Sequence, residues 1–432
     1  MKTEKLKQNV KGYVHQFEDG GLRLLRKGQK GVIHAIFSRF GLVLILLLLQ
    51  VGLLFSIFRW FGNLWPHYFG GSVVVTSAMV IYLLNSKMDN SAKITWMVVV
   101  AIAPVVGIPM FFYVKSNFGH NILRKRLLEL EDQLRGWLPQ SQKAVEQLKA
   151  LEPGAASLAK YLYGPGGGFP VYENTAMTYF PSGEAKFAEL LRQLDTAEKY
   201  IFVEYFIIDE GLFWGRVLEI LARKAAEGVD VRVMYDGTCE FSTLPRNYPR
   251  LLEKLNIQCK VFSPVQPFVS THYNYRDHRK ILVIDGRVGF TGGVNLADEY
   301  INHIQKHGRW KDAAVMLEGE AVRSLTAQFL QMWGILKEPE YEQFLTRPIP
   351  VPENAKGVAA PYGDCPLDGE RVGEMVYIDL LNRARDYIHI MTPYLILDGE
   401  LETALKFAAE RGVDVHLIPV SYTHLRAHET LA

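Results

Sequence analysis

Cysteine is scarce in this 432-residue chain, which contains only Cys239, Cys259 and Cys365, all far apart. Because they form no Cys-x-x-Cys pair, the sequence indicates neither a disulfide framework nor a structural zinc site. A strong charge of one sign is also missing, since 48 basic and 46 acidic residues leave a net charge of +2. That balance argues against a nucleic-acid partner bound through bulk charge. We therefore expect reduced, buried thiols and no nucleic acid.

Long apolar segments are present, and they are concentrated in the first quarter of the chain. Gly41–Phe58 and Ile94–Val114 carry no charge and have basic residues on both sides, which is typical of membrane-spanning helices. Tyr68–Leu84 is apolar but rich in small residues, so it either spans or packs as a short tilted helix. Bulky residues, rather than a small-residue cleavage site, follow the first segment, so we expect it to be retained.

The basic residues around these segments predict the orientation of the chain. The first forty residues are rich in lysine and arginine, and Arg124, Lys125 and Arg126 follow the last apolar segment. The positive-inside rule places both groups on the cytoplasmic side, which two crossings satisfy and three do not. We expect a basic segment over 1–40, a multi-pass membrane domain over 41–118 and a cytoplasmic catalytic domain.

The rest of the chain predicts an α/β domain. Residues 119–168 form a helical connector, which begins as an amphipathic helix over Asn121–Leu151 and ends at a glycine-rich run. Beyond it, a strand over Tyr200–Ile208, a helix over Leu212–Glu227 and a strand over Val229–Asp236 follow one another. This alternation predicts helices packed on a parallel or mixed sheet.

The same pattern occurs twice. AEKYIFV, from Ala197, is matched by ARDYIHI, from Ala384, and ARKAAEGVDVRVMYD, from Ala222, is matched by KFAAERGVDVHLIPV, from Lys406. Joins of the Gly-Val-Asp-Val type are common in α/β proteins, but two matched blocks in the same order indicate an internal repeat. We predict a first lobe over 169–345 and an incomplete second lobe over 346–420.

A possible reaction centre lies in the first lobe, within the run DHRKILVIDG. Its branched apolar residues predict a strand, and alternate side chains of a strand share one face. His278 and Lys280 therefore lie side by side, where an imidazole and an ammonium make a site for an anion. Lys280 would contact a phosphate as a point charge, and His278 would attack or protonate it.

Further residues of the motif follow this strand. Asp285 completes the spacing H-x-K-x-x-x-x-D, and we assign it to the catalytic set, although its place after the strand favours anchoring the next turn. Asn295 offers a hydrogen bond to a phosphoryl oxygen, and Gly292 and Gly293 allow the backbone to approach closely.

This spacing with its downstream asparagine resembles the signature of the phospholipase D superfamily. HRKILVIDG, GGVNLADEY and GRWKDAAVMLEGEAV resemble bacterial cardiolipin synthases more narrowly. The resemblance implies an α-β-α sandwich with a mixed sheet, duplicated and preceded by transmembrane helices, in the bacterial plasma membrane. It implies that a phosphatidyl group moves between two phosphatidylglycerol molecules through a phosphatidyl-histidine, giving cardiolipin and glycerol. It also implies anionic lipids as partners, and no metal or cofactor.

Several other side chains are candidates for support of the site. Glu204 and Asp312 are expected to orient an imidazole, with a salt bridge or a helix cap as equal alternatives, and Asp236 is expected to support the site from a strand end. His272, His303 and His307 are expected to be surface or lining residues.

The resemblance also implies a second motif, which the repeat spacing would place beyond Ala432. The tail over 421–432 does not continue the repeat, so we do not assign its His424 and His428 to a site. This leaves open whether the chain is active by itself. It also keeps two alternatives: a phospholipase D-type hydrolase that uses water, and an inactive fragment that binds lipid.

Overall fold

The computed structural model falls into two compact units, one within residues 26–119 and one containing the described chain from residue 120 onward. Each is described by itself. The described residues are 15–16, 22–23, 65–86, 88, 90–115, 118–264, 276–306, 308–335, 337–393 and 395–419.

The smaller unit contains three helices, α1 (Trp65–Leu84), α2 (Asn90–Ile102) and α3 (Pro104–Lys115). Their shared core contains Leu83, Val100 and Phe111, and the ring centroids of Trp96 and Phe111 lie 5.2 Å apart in an edge-to-face arrangement.

The prediction of one spanning helix over Ile94–Val114 is wrong, because the helix is interrupted at Ala103. Pro104 has no N–H group, and its ring disfavours the helical conformation at the residue before it. No helix in the described part of the chain has both the length and the hydrophobicity needed to cross a membrane. The predicted multi-pass arrangement is therefore not supported there, and the predicted span over Gly41–Phe58 lies outside the described residues.

The larger unit contains a two-stranded pair, a seven-stranded sheet and a second two-stranded sheet. The strands are β1 (His15–Gln16), β2 (Leu22–Arg23), β3 (Thr175–Phe180), β4 (Tyr200–Tyr205), β5 (Asp230–Asp236), β6 (Gln258–Phe262), β7 (Lys280–Ile284), β8 (Val288–Gly292), β9 (Ala314–Gly319), β10 (Tyr387–Thr392) and β11 (Asp414–Pro419). The large sheet has the order β3-β9-β8-β7-β4-β5-β6; β4, β5 and β6 are parallel, and every other neighbouring pair is antiparallel. The predicted mixed sheet is confirmed.

The helices of this unit cover both faces of the large sheet. They are α4 (Phe118–Arg135), α5 (Gln142–Leu151), α6 (Pro153–Tyr163), α7 (Gly183–Asp195), α8 (Leu212–Ala226), α9 (Cys239–Ser242), α10 (Tyr248–Glu253), α11 (Val322–Trp333), α12 (Tyr341–Leu345), α13 (Val372–Arg383) and α14 (Gly399–Glu410), with a short 3₁₀ turn at Asp298–Ile301.

Strand β4 shows how the two cores are built. Its side chains alternate, so that Ile201 and Val203 pack against α7 and α8 while Phe202 packs against α11. The rings of Phe202 and Phe329 stack 4.5 Å apart. Because both faces are covered, every residue of β4 is buried. The sheet therefore lies between two helical layers.

The connector differs from its prediction in one respect. The amphipathic segment predicted over Asn121–Leu151 is two helices, α4 and α5, and the second begins where the Ser141 side chain accepts a hydrogen bond from the Ala144 N–H group. An N-cap of this kind starts a new helix rather than continuing an old one.

The repeat in sequence is also a repeat in structure. In the first copy β4 and β5 pair in parallel with Tyr200 opposite Asp230, and in the second copy β10 and β11 pair in parallel with Tyr387 opposite Asp414. A helix, α8 or α14, joins the two strands in each copy.

Candidate active site

His278 and Lys280 lie at the end of the large sheet where β4 and β5 finish. Lys280 is the first residue of β7 and pairs with Tyr205, the last residue of β4. His278 lies just before β7, and its ring is 4.7 Å from the ring of Phe206. Lys280 is 5% exposed, whereas the His278 side chain is open to solvent.

Both side chains line one cavity of about 880 Å³. Thr291 and Gly292, at the end of β8, lie on the same wall. Residues of 360–374 form another wall and include four carboxylates, so the cavity combines cationic and acidic groups. These are Asp364, Asp368, Glu370 and Glu374.

The surroundings of the two residues set their charge. Partial burial and the Lys280 ammonium lower the pKa of His278 to about 4, so its imidazole is neutral at pH 7. Burial lowers the pKa of Lys280 to about 8, although Asp277 and Asp312 act in the opposite direction. Lys280 also donates a hydrogen bond to the carbonyl oxygen of His278. The site thus presents a neutral imidazole beside a protonated amine at neutral pH.

Asp236 lies where the sequence placed it, at the end of β5, and it is completely buried. Its Oδ2 accepts a hydrogen bond from the Asp277 N–H group at 2.9 Å, and its Oδ1 accepts one from Thr238 N at 2.8 Å. Arg276 contacts the same carboxylate at 3.4 Å. Asp236 therefore holds the segment that carries His278 and does not contact the imidazole.

Of the alternatives for Glu204, the structure shows the salt bridge and not the contact with an imidazole. The Glu204 side chain points to the face of the sheet that α11 covers, where it lies next to Asp277 and 3.8 Å from the guanidinium of Arg279. On that face the buried Glu204 carboxyl lies against the segment that carries His278.

Asp312 and the two glycines lie close together beside Lys280. A Cβ atom on Gly293 would come within 2.0 Å of Asp312 Oδ1, so a side chain there would displace the Asp312 carboxylate. Gly292 has a φ of +140°, and a Cβ atom on it would approach Ala313 O to 2.6 Å. Glycine is therefore required at position 292 by both the backbone conformation and the close approach of the neighbouring strand.

Asn295 is buried beneath this wall and its amide already has partners. Oδ1 accepts a hydrogen bond from Ile207 N at 3.0 Å, and Nδ2 donates one to Tyr300 Oη at 2.8 Å. Asn295 thus joins the glycine loop to the chain after β4.

Asp285 lies at the opposite end of β7 from His278, in the turn to β8, with a φ of +53°. Its carboxylate accepts hydrogen bonds from the backbone N–H groups of Glu198, Lys199 and Tyr200 at 2.9, 2.7 and 2.9 Å. The structure therefore places it as a clamp between the turn and the start of β4, away from His278 and Lys280.

Sequence reasoning missed Lys186, on α7, which is completely buried. Its amine donates hydrogen bonds to Tyr205 Oη and Val294 O, both at 3.0 Å. Burial lowers its pKa to about 7, and Asp312 and Lys280 lie near enough to affect it. The signal for it was a lysine four residues before Leu190, on the apolar stripe of an amphipathic helix.

The sequence showed no cluster with metal-ligand spacing, but the described residues contain two groups that could hold a metal ion. Strand pairing brings together His389, Asp414 and His416 on β10 and β11. The other group is Glu374 on α13 with Asp398 and Glu400 at the start of α14. Neither group contains His278 or Lys280.

The other predicted histidines are placed only in part. His303 is exposed and follows the 3₁₀ turn. His272, His307, His424 and His428 lie outside the described residues.

Comparison with known proteins identifies the family of the chain. The family model described as "Cardiolipin synthase, PLD-like domain" matches residues 190–333, which include the His278 segment. A cardiolipin synthase of Geobacillus kaustophilus is 33% identical over 352 residues, which cover 80% of this chain and 68% of that protein. This chain belongs to the cardiolipin synthase family.

Two further similarities extend the comparison within and beyond this family. A Streptococcus mutans protein described as uncharacterized is 54% identical over 340 residues, covering 78% of this chain and 73% of its own length. The phosphatidylserine synthase of Haemophilus influenzae is similar in structure, with a TM-score of 0.43, 14% identity, and coverage of 62% of this chain and 66% of its own.

Proposed function

We propose that the protein transfers a phosphatidyl group from one phosphatidylglycerol to a second, giving cardiolipin and glycerol, at the surface of an anionic membrane. The observation that carries this proposal is the pairing of His278 with Lys280 on one wall of the 880 Å³ cavity. Family membership supports a phospholipid substrate.

In the first step a neutral nitrogen of His278 attacks the phosphorus of phosphatidylglycerol. The new P–N bond forms as the P–O bond to the glycerol headgroup breaks, and the departing oxygen takes a proton from an acid. A histidine that is neutral at pH 7 is suited to this role, since a protonated imidazole has no free electron pair. The product is a phosphatidyl-histidine and free glycerol.

In the second step a hydroxyl of another phosphatidylglycerol attacks the same phosphorus. Its proton passes to a base, the P–N bond breaks and His278 returns to its neutral form. The two-motif pattern of the family implies that a second histidine gives and takes these protons. Lys280 would hold a phosphoryl oxygen through both steps and stabilise the charge that develops on it.

The test uses full-length protein and phosphatidylglycerol in mixed micelles, with cardiolipin, glycerol and phosphatidate measured as products. We expect cardiolipin and glycerol in equal amounts. H278A should lower kcat by a factor of about 10⁴, and K280A by about 10²–10³. H303A, at an exposed histidine outside the cavity, is the matched control and should retain wild-type turnover.

The covalent step needs its own measurement. An alkaline quench followed by mass spectrometry should find a phosphatidyl adduct on the peptide containing His278, and no adduct in H278A. Phosphatidate without cardiolipin would identify water as the acceptor and favour hydrolysis. Unchanged turnover in H278A would refute the proposal.

A further inference from the structure

Two buried carboxyl groups lie next to each other, one on β4 and one on the residue before the proposed nucleophile. Glu204 is 0% exposed and Asp277 is 4% exposed, and their side chains lie within hydrogen-bonding reach of one another. Both oxygens of Glu204 and Oδ2 of Asp277 have no hydrogen-bond donor among the residues that the structure describes. Two ionised carboxylates in contact repel each other, which disfavours the ionisation of both.

Among the described residues, Arg279 makes the only salt bridge to the pair. The Arg279 guanidinium lies 3.8 Å from Glu204 Oε1 and also donates to the Gln328 carbonyl oxygen at 3.4 Å. Asp236 adds a third buried carboxylate nearby, with Arg276 beside it. The charge of Asp277 also acts to raise the pKa of Lys280, which lies on the other face of β7. A buried carboxylate without a close partner tends to keep its proton.

We infer that Glu204 and Asp277 share one proton, so that a carboxyl–carboxylate hydrogen bond between them positions His278. The proton makes one hydrogen bond between an oxygen of Glu204 and an oxygen of Asp277, and Glu204 Oε1 lies 3.8 Å from the Arg279 guanidinium. The pair carries one negative charge instead of two, which the single guanidinium of Arg279 can balance.

The pair acts on His278 through the backbone. Asp277 precedes His278 in the chain, its N–H group is held by Asp236, and its Oδ1 accepts the Arg279 N–H group at 3.2 Å. The contact with Glu204, together with the approach of Arg279 to Glu204, links this segment to a side chain of β4 on the α11 face. Since a small displacement of a nucleophile has a large effect on rate, this link matters for turnover.

The pH dependence follows from the same geometry. Burial, with Asp277 next, holds the pKa of Glu204 well above its ordinary value, and burial also raises the pKa of Asp277. The folded protein therefore keeps a proton that the unfolded chain loses above pH 4.5, and stability decreases as pH rises toward the folded pKa. His278 is neutral over this range, but Lys280 loses its proton near pH 8, so an alkaline loss of activity alone would not identify the pair.

The decisive measurement is infrared spectroscopy of the resting protein without lipid. At pH 7 we expect the carbonyl stretch of a protonated carboxylic acid, which shifts in D₂O and disappears in E204Q. E227Q, at an exposed glutamate at the end of α8, is the matched control and should keep the band. Absence of the band from wild type, or its survival in E204Q, overturns the shared proton.

The positioning role, which rests on the proposed function, is tested by turnover. E204Q supplies amide hydrogens in place of the proton and should keep kcat within about threefold of wild type, whereas E204A should lose about 100-fold. Circular dichroism checks that E204A is folded. If E204A is not folded, kcat of D277N is compared with that of wild type, because the amide introduced in D277N also donates to Glu204. Wild-type turnover in folded E204A, or a 100-fold loss in E204Q, overturns positioning. An infrared band in a wild-type protein that makes no cardiolipin would instead indicate that the proposed function fails while the pair stands.

Discussion

The two copies of the repeat have the same local structure and very different surroundings. β4 and β10 both begin with Tyr-Ile, both pair in parallel with a strand that begins Asp-Val, and both are followed by a helix on the same side. Every residue of β4 is buried, whereas β10 alternates between buried or half-buried and exposed positions. Local sequence therefore reproduces the strand–helix–strand unit, but burial depends on what packs against it.

The difference has a simple structural cause. β4 has neighbours on both edges and helices on both faces, whereas β10 has one described neighbour, and its described core lies on the face toward α13 and α14. The neighbour that β4 has and β10 lacks in the described chain is β7, which carries Lys280 and follows His278. The chemical site thus belongs to the surroundings of the repeat and not to the repeated unit.

The largest expected effect comes from equivalent positions on the two strands. Phe202 is buried and stacked on Phe329, whereas its counterpart His389 is exposed. F202A should lower the free energy of unfolding by about 3–5 kcal/mol because it leaves a cavity. H389A, its matched control, should change that energy by less than about 0.5 kcal/mol. Urea denaturation followed by circular dichroism measures both, and equal losses would remove the contrast.

A smaller effect is expected where Asp285 clamps the start of β4. D285A leaves three backbone N–H groups without their acceptor and should cost about 2–3 kcal/mol of stability. Because Asp285 is at the far end of β7 from His278, kcat of the folded enzyme should stay within about twofold of wild type. Thermal unfolding and turnover at low temperature separate the two effects. A large loss of kcat with unchanged stability would give Asp285 the catalytic role that its motif suggests.

The buried Lys186 should give the first copy a distinctive pH dependence, since no lysine is buried among the described residues of 346–419. Its pKa is about 7 in the folded protein, against 10.5 ordinarily. Between these values the unfolded chain holds one more proton, so stability should rise with pH by up to about 1.4 kcal/mol per unit. K186M should remove this part of the slope and leave the part that comes from the lowered pKa of Lys280, whereas K199M, at an exposed lysine, should leave the slope unchanged. Urea titrations from pH 7 to 10 measure the slope of stability against pH. An unchanged slope in K186M would contradict the assignment.

The smallest effect should be the same in both copies. Gly228 and Gly412 end α8 and α14 with φ values of +96° and +88°, and a Cβ atom at either would touch nothing within 4 Å. G228A and G412A should therefore each cost about 1 kcal/mol, from backbone strain alone. Thermal denaturation of each variant compares them. A clearly larger loss in one would show that surroundings alter even this local feature.

Sequence reasoning was most successful where the signal was local. Strand–helix alternation predicted β4, α8 and β5 with small errors at their ends, because the apolar pattern and Gly228 are local signals. It was wrong for Ile94–Val114, where hydrophobicity was weighed above the effect of Pro104 on Ala103. For Glu204 it left an imidazole contact and a salt bridge as equal alternatives, because one residue in sequence cannot reveal which groups lie beside it, and the structure shows the salt bridge.

By itself the sequence determined the repeat, the mixed α/β class and the pairing of His278 with Lys280, because each depends on spacing within one or two elements. Only the tertiary structure decided the cavity, the burial of Lys186, the clamp at Asp285 and the contact between Glu204 and Asp277. These features join residues far apart in the chain, and burial changes the energy of a charge much more than any local neighbour does.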